Sequence, residues 1–383
     1  MAEYYIDGSV AGSAGVLNGS GTLSDPWTQN SGVDLLEAAR QAILAGPGRG
    51  PQGDQVVVLN GGLSLTSPMT VETTWSQPYP FVLRPHVMDG TQRIDFDMGF
   101  QPMFATNIIQ QGHNFYFCDF HGFGNSTSTG GFMIFNARNW LGYYFCEFDG
   151  ADAEAGGSTG LIYTGSATHI MGCRFINDSR ATGLMVQGSA GCNIRGNYFE
   201  INYSASYSMY TYNSEFTHNV LRLTAASSLG AVLPIQGGAF ANNTFYGVDA
   251  ATPQNNGSGI YLPDSYEHNT LINNYFENLR RSVYASTTHQ HSIAIFAGNR
   301  GYNIFDQASY PTSTSNTTFL TNNDNQMTAS GLVDPANGDY RPNSLLIGKG
   351  FNLENYWLQS VTTGRKTIGA IEDYLPSQYK PFR

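Results

Sequence analysis

The chain has 383 residues, a net charge of −11, a charged fraction of only 12% and lysine at just three positions, Lys349, Lys366 and Lys380. So acidic a surface repels phosphate backbones, which argues against nucleic acid as a partner, and no apolar run nears the ~18 residues of a membrane span. The 44 glycines and 13% aromatic residues suit a turn-rich all-β chain with a bulky core better than a helical one.

The N-terminus, Met1 to Asp7, has neither a basic start nor an apolar core, so export through a cleaved signal is not expected. After Tyr4, Tyr5 and Ile6 comes a Gly/Ser-rich loop, then a helix predicted over residues 34–45 and stopped by Gly46-Pro47. Leu35, Leu36, Ala39, Ile43 and Leu44 make its apolar face, with Glu37, Arg40 and Gln41 expected outward. Residues 55–59 lack polar alternation and read as a strand buried on both faces. Residues 60–110, with Pro68, Pro78, Pro80, Pro85 and Pro102, read as early coils carrying insertions.

From Phe115 to Asn323 the chain repeats. Cys118-Asp119-Phe120 recurs as Cys146-Glu147-Phe148, Cys173-Arg174-Phe175 and Asn197-Tyr198-Phe199, then at Asn219, Asn243, Asn274, Asn299 and Asn323. A second motif travels with it, headed by Gly131, Gly160, Gly183, Gly259 and Ser282. Ragged steps in the twenties mark a solenoid, whose insertions fall in turns. Two or more short strands per turn make it a parallel β-helix. Longer turns are expected at 121–131, 149–159 and 246–258, with a polar loop at 307–318 before the last coil. The cysteines lack metal-type spacing and read as a buried ladder of free thiols; the asparagines read as stacked amides bonded along the axis.

Both ends of the chain resemble a known family. Tyr5-Ile6-Asp7-Gly8-Ser9, the segment from Gly21 to Trp27, the Leu35–Ala39 helix start and Gly53-Asp54-Gln55-Val56-Val57-Val58 are similar to the N-terminus of right-handed parallel β-helix proteins of the pectate-lyase-like superfamily. Residues 334–341 and 344–350, then Gly364-Arg365 and 368–372, resemble that superfamily's closing segment. The resemblance implies an all-β, single-stranded right-handed parallel β-helix with an N-terminal α-helical cap and an irregular C-terminal tail. Its divisions are an N-terminal segment and capping helix at 1–54, the β-helix at 55–350, and a tail at 351–383 that covers the end or contacts another subunit. The superfamily holds lyases, hydrolases, epimerases, phage tailspikes and non-catalytic virion proteins, so the fold alone does not fix the activity.

Strand alternation supplies a candidate site. With Cys118 and Phe120 inward, Asp119 and His121 face outward, followed on successive coils by Glu147, Asp149 and Arg174. Asp152, Glu154, Asp178 and Arg180 lie in neighbouring turns. Asp119, Glu147, Asp149 and Arg174 are the catalytic candidates. Carboxylates on adjacent coils suit the acid–nucleophile pair of a retaining glycosidase, and an Asp cluster beside an Arg suits Ca²⁺ and a uronate. A plain solvated acidic face is the competing reading, and no resident cofactor or metal is otherwise expected. Tyr198, Tyr203, Tyr207 and Tyr210, with Tyr212 nearby, are carbohydrate-binding candidates, since tyrosine offers a flat apolar body and a polar tip. His289 and His291 read as structural, and Arg280-Arg281 after Glu277 as a surface ion-pair patch.

Two functions of different class follow. One is a virion structural protein of a tailed bacteriophage, whether capsid decoration, fibre or tailspike-like. It would be homotrimeric, contact other virion proteins, bind polysaccharide, and be made in the host cytoplasm. The other is a polysaccharide lyase or glycoside hydrolase acting on an acidic glycan, for which an extracellular location is the alternative.

Overall fold

A computed structural model describes residues 2–12, 17–30, 35–45, 54–67, 69, 81–99, 103, 112–123, 132–136, 141–150, 160–164, 167–176, 184–188, 191–201, 209–224, 231–262, 269–285, 293–306, 317–321, 323–347 and 349–350, some strands by backbone alone. They fall into two compact units, Met1–Gly183 and Leu184–Arg383. Each is an all-β parallel solenoid.

In the first unit, one sheet stacks Ala2–Gly12 on Asp54–Val58, then Phe81–Pro85, His113–Tyr116, Leu141–Tyr144 and His169–Met171, all parallel. The other stacks Leu63–Ser64, Ile94–Asp97, Cys118–His121, Glu147–Asp149 and Arg174–Ile176. Strands this short persist because each turn packs on its neighbours. Cys118, Phe120, Cys146, Phe148, Cys173 and Phe175 are buried while the residues between them are half-buried, as period-two alternation requires. Phe120 stacks on Phe148 at 5.0 Å and Phe148 on Phe175 at 4.6 Å, filling the core with aligned rings.

From the coil of Phe117 onward, a left-handed residue follows the first of the two strands at each described corner. In the first unit these residues are Phe117 (φ 53°), Phe145 (φ 56°) and Gly172 (φ 66°). In the second they are Gly196, His218, Asn242, Asn273 and Gly298. Glycine and asparagine adopt this conformation readily. A phenylalanine there costs about 1–3 kcal/mol, offset by stacking of the Phe117 and Phe145 rings at 5.1 Å.

The helix spans Leu35–Ala45 and packs on Ala2–Gly12, Trp27–Asn30 and Leu63–Ser64. Leu35, Leu36, Ala39 and Ile43 are buried as read from the sequence. Arg40 corrects that reading: expected outward, it is fully buried, paired with Glu37 and lying over the Phe81 ring at 5.8 Å. Its long stem covers apolar surface and its guanidinium meets an acid one turn earlier and an aromatic face. Val56, Val57 and Val58 are buried, as their unbroken apolar run requires.

In the second unit, the outer-face sheet runs Tyr198–Ile201, Val220–Leu223, Thr244–Gly247, Tyr275–Glu277, Arg300–Tyr302 and Asp324–Met327. Its partner sheet includes the long strands Met209–Thr217 and Val232–Ala241, then Asn269–Ile272, Ile293–Ala297 and Thr317–Thr321. The last of these begins inside the loop expected at 307–318. Loop 246–258 holds a 3₁₀ turn at Pro253–Asn255, pinned by Asn256, whose Nδ2 donates to the carbonyls of Asp249 at 2.7 Å and Asn278 at 2.6 Å.

Asn197, Asn219, Asn243, Asn274, Asn299 and Asn323 form a buried-to-half-buried amide ladder. Each Oδ1 after the first accepts two bonds from the asparagine before it; Asn243 Oδ1, for instance, takes both the backbone N–H and the Nδ2 of Asn219 at 3.0 Å. Each Nδ2 from Asn219 onward also donates backward, to the carbonyl three residues before the previous ladder asparagine: Ile194, Phe216, Phe240, Leu271 and Phe296 at 2.7–2.9 Å. The thiols of the first unit make the same backward bond, Cys146 to the Phe115 carbonyl and Cys173 to that of Tyr143, both at 3.4 Å. All four cysteines are free and buried.

A hairpin of Leu332–Asp334 and Asp339–Pro342, turned by Pro335–Asn337 and Gly338 (φ 83°), lies on the outside of the second unit's sheet. Tyr340, 1% exposed, meets Tyr198 at 6.1 Å and Tyr246 at 5.6 Å. Residues 351–383, the greater part of turns 121–131 and 149–159, and His289 and His291 lie outside the described residues.

Candidate functional site

The sheet register builds one outward column in the first unit: Asp95, Asp119, Glu147 and Arg174, paired in that order across successive coils. Two residues further along each strand lie Asp97 and His121, paired in register, then Asp149 and Ile176, likewise paired. The candidates Asp119, Glu147, Asp149 and Arg174 are thus brought onto one face, as alternation predicted. Asp149 is half-buried. Asp152, Glu154, Asp178 and Arg180 lie outside the described residues.

Arginine closes both carboxylates. Arg93 Nε donates to both Asp119 oxygens, at 2.7 and 2.8 Å, while its Nη2 bonds Asp119 Oδ1 and the Phe145 carbonyl at 2.9 Å. Arg174 Nη1 donates to Glu147 Oε2 at 2.5 Å. The four side chains are roughly a quarter to a third exposed (25–34%), so each pair contributes about 0–1 kcal/mol, with the forked Arg93 contact at the upper end. His121 Nε2 sits 2.7 Å from Asp95 Oδ1, and its Nδ1 lies 4.0 Å from Asp97. Burial pushes the Glu147 carboxyl up; Arg174 opposes this and Asp119 adds to it.

Among the described residues no group of three or more His, Cys, Asp or Glu side chains is placed to hold a metal ion. Sequence reasoning missed Arg93, Asp95 and Asp97, although Ile94-Asp95-Phe96 repeats the pattern of Cys118-Asp119-Phe120 one coil earlier.

Of the four tyrosine candidates, only Tyr198 has a described side chain. Tyr198 is 5% exposed, with its phenol donating to Glu200 Oε2 at 3.3 Å. A sugar ring cannot stack on a face covered by Tyr340, so the carbohydrate role assigned to Tyr198 does not fit. Tyr203 and Tyr207 lie outside the described residues, and Tyr210 is described by backbone alone within Met209–Thr217. The half-buried aromatic ladder found instead is Tyr116 on Tyr144, 4.6 Å apart, with burial pushing the Tyr144 phenol up to about 12. In the second unit Tyr261 neighbours Tyr284 at 5.4 Å, with Arg281 over the Tyr284 ring at 4.2 Å. Arg281 also pairs with Asp306 at 2.7 Å, whereas Glu277 is buried; the patch read as Glu277 with Arg280-Arg281 is therefore corrected.

Compared with protein-family models, with curated proteins and with solved structures, the chain matches none.

Proposed function

We propose that this protein is a structural component of a tailed-bacteriophage virion. In this reading it is a right-handed parallel β-helix of the pectate-lyase-like type, serving as capsid decoration, fibre or tailspike-like part. It assembles as a homotrimer, contacts other virion proteins and binds polysaccharide on its outer face. The helix Leu35–Ala45 caps the first coil, where an open strand edge would otherwise template aggregation, and the right hand follows the strong preference of parallel crossovers. The observation that carries the proposal is the closure of Asp119 by Arg93 and of Glu147 by Arg174, which turns the acidic column into a charge ladder. Four buried free thiols fit a fold made in a reducing cytoplasm.

One observation favours a lyase or hydrolase for acidic glycans. Burial holds the Glu147 carboxyl up, and Asp119 pairs with it in register on the adjacent coil; a raised carboxyl beside a second one is what acid–base chemistry on a glycan needs. Mass in solution, measured beside activity on acidic and neutral bacterial polysaccharides with and without Ca²⁺, separates the two. A stable trimer that binds glycan without cleaving it supports the structural reading. A monomer that cleaves glycan, and loses that activity in Glu147→Gln, overturns it.

A further inference from the structure

Part of the outer face of the second unit's sheet is fully covered, where the equivalent described positions of the first are half-buried. At the ladder-plus-one position the first unit shows Asp119, Glu147 and Arg174, all half-buried, whereas the second shows Tyr198 and Tyr275 at 5% and 0% exposure. The cover is the hairpin. Beneath it Glu277 is 3% exposed. Its Oε2 accepts a bond from Tyr275 Oη at 2.6 Å and one from Ser330 Oγ, on the hairpin stem, at 2.7 Å. Tyr275 Oη in turn accepts the Gly331 N–H at 2.6 Å. The hairpin is therefore fastened to the sheet through a buried carboxyl that no cation pairs among the described residues. A charged carboxylate so placed is costly.

We propose that Glu277 is a proton-operated latch: protonated, it lets the hairpin close over the sheet, and ionised, it drives the hairpin off. Tyr275, Ser330 and Tyr246 act on Glu277 itself, and Tyr246 in turn meets Tyr340 and feels Asp334 on the hairpin and Arg222, which pairs with Glu200 at 3.2 Å. Burial pushes the Tyr275, Tyr246 and Tyr340 phenols up, so they stay neutral from pH 5 to pH 9, and Arg222 stays charged.

The sign follows. Burial raises Glu277 above the ordinary 4.5 in the closed state, and the Tyr275 and Ser330 hydroxyls offset only part of the rise. Closure is therefore strongest below the ordinary carboxylate range. It weakens about tenfold per pH unit as pH climbs from there to the closed-state value, and levels off above it. A carboxyl freed by an opened hairpin ionises at the lower value and holds it open.

Amide exchange at Gly331, Leu332 and Asn343, corrected for intrinsic rates between pH 4 and pH 9, reads the latch directly. The expected result is protection that falls with rising pH in the wild type and stays flat in Glu277→Gln. Ser330→Ala removes a donor that favours the ionised form, so it moves the fall to higher pH. Flat protection in the wild type, or a fall that Glu277→Gln shares, overturns the proposal. Should Glu277→Gln fail to fold, the position of the fall in Ser330→Ala decides: a shift upward supports the latch, and an unmoved fall overturns it.

Discussion

At the scale of single residues, the position after each corner decides how coils are joined, and cysteine and asparagine do the job with different strength. A thiol makes one long backward bond; an asparagine makes that bond and two more to its neighbours. Asn243→Ala strands the buried Asn219 N–H and the Phe216 carbonyl, at about 1–3 kcal/mol for each lost partner. A loss of about 3 kcal/mol in urea unfolding is expected. Asn323→Ala costs about 1 kcal/mol, because half-exposed Asn323 leaves room for water to replace it. Gly172→Ala tests the corner: its Cβ would sit 2.5 Å from the Phe145 ring at a φ of 66°, for a loss of about 1–3 kcal/mol. The ladder was legible because the sequence spells it coil after coil. Arg93 was not, since it precedes its strand and pairs with an acid 26 residues on. Arg40 was missed because helical periodicity counts it polar, while its surroundings supply an acid and a ring.

At the scale of elements, the strands were readable and their coverings were not. Alternation placed Asp119, Glu147 and Arg174 on one face and their ring-bearing neighbours in the core. Nothing periodic announces that residues 330–346 fold back on the sheet, because Gly331 bonds Tyr275 across 56 positions and, among the described residues, no other coil repeats the contact. That missing signal is why Tyr198 looked like a sugar platform. The inward thiols give an element-level test: burial pushes the Cys118 and Cys173 thiols up and keeps them protonated. Ellman's reagent should therefore find no reactive thiol in the native protein and four after denaturation. Native reactivity at any of the four would mean the coils open far more readily than their packing implies.

At the scale of the whole molecule, the class of fold was visible in the repeat, and function was not, because a solenoid presents its outer face to whatever evolution supplies. The described exposed large apolar residues are Leu23, Val87 and Met88 in the first unit and, in the second, Phe305 at 61%, Val333 at 51%, Leu345 at 44% and Ile347 at 56%. Exposed side chains of this size are what a subunit contact uses. If the proposed trimer uses them, Val333→Asp with Ile347→Asp lowers the mass in solution toward the monomer and leaves the urea midpoint of each chain nearly unchanged. A trimer that survives both changes makes its contact elsewhere.

The asparagine column has a consequence for how such a chain changes length. Every rung points the same way: each Oδ1 after the first accepts from the rung before it, and each backbone N–H before the last donates to the Oδ1 of the rung after it. A rung is thus interchangeable with its neighbours, and what joins two rungs is indifferent to how many others there are. Spacing between rungs already varies from 22 to 31 residues without breaking the column. The protein can therefore be lengthened or shortened by genetic duplication or loss of one complete turn, whereas a partial turn would leave an amide facing the wrong atom.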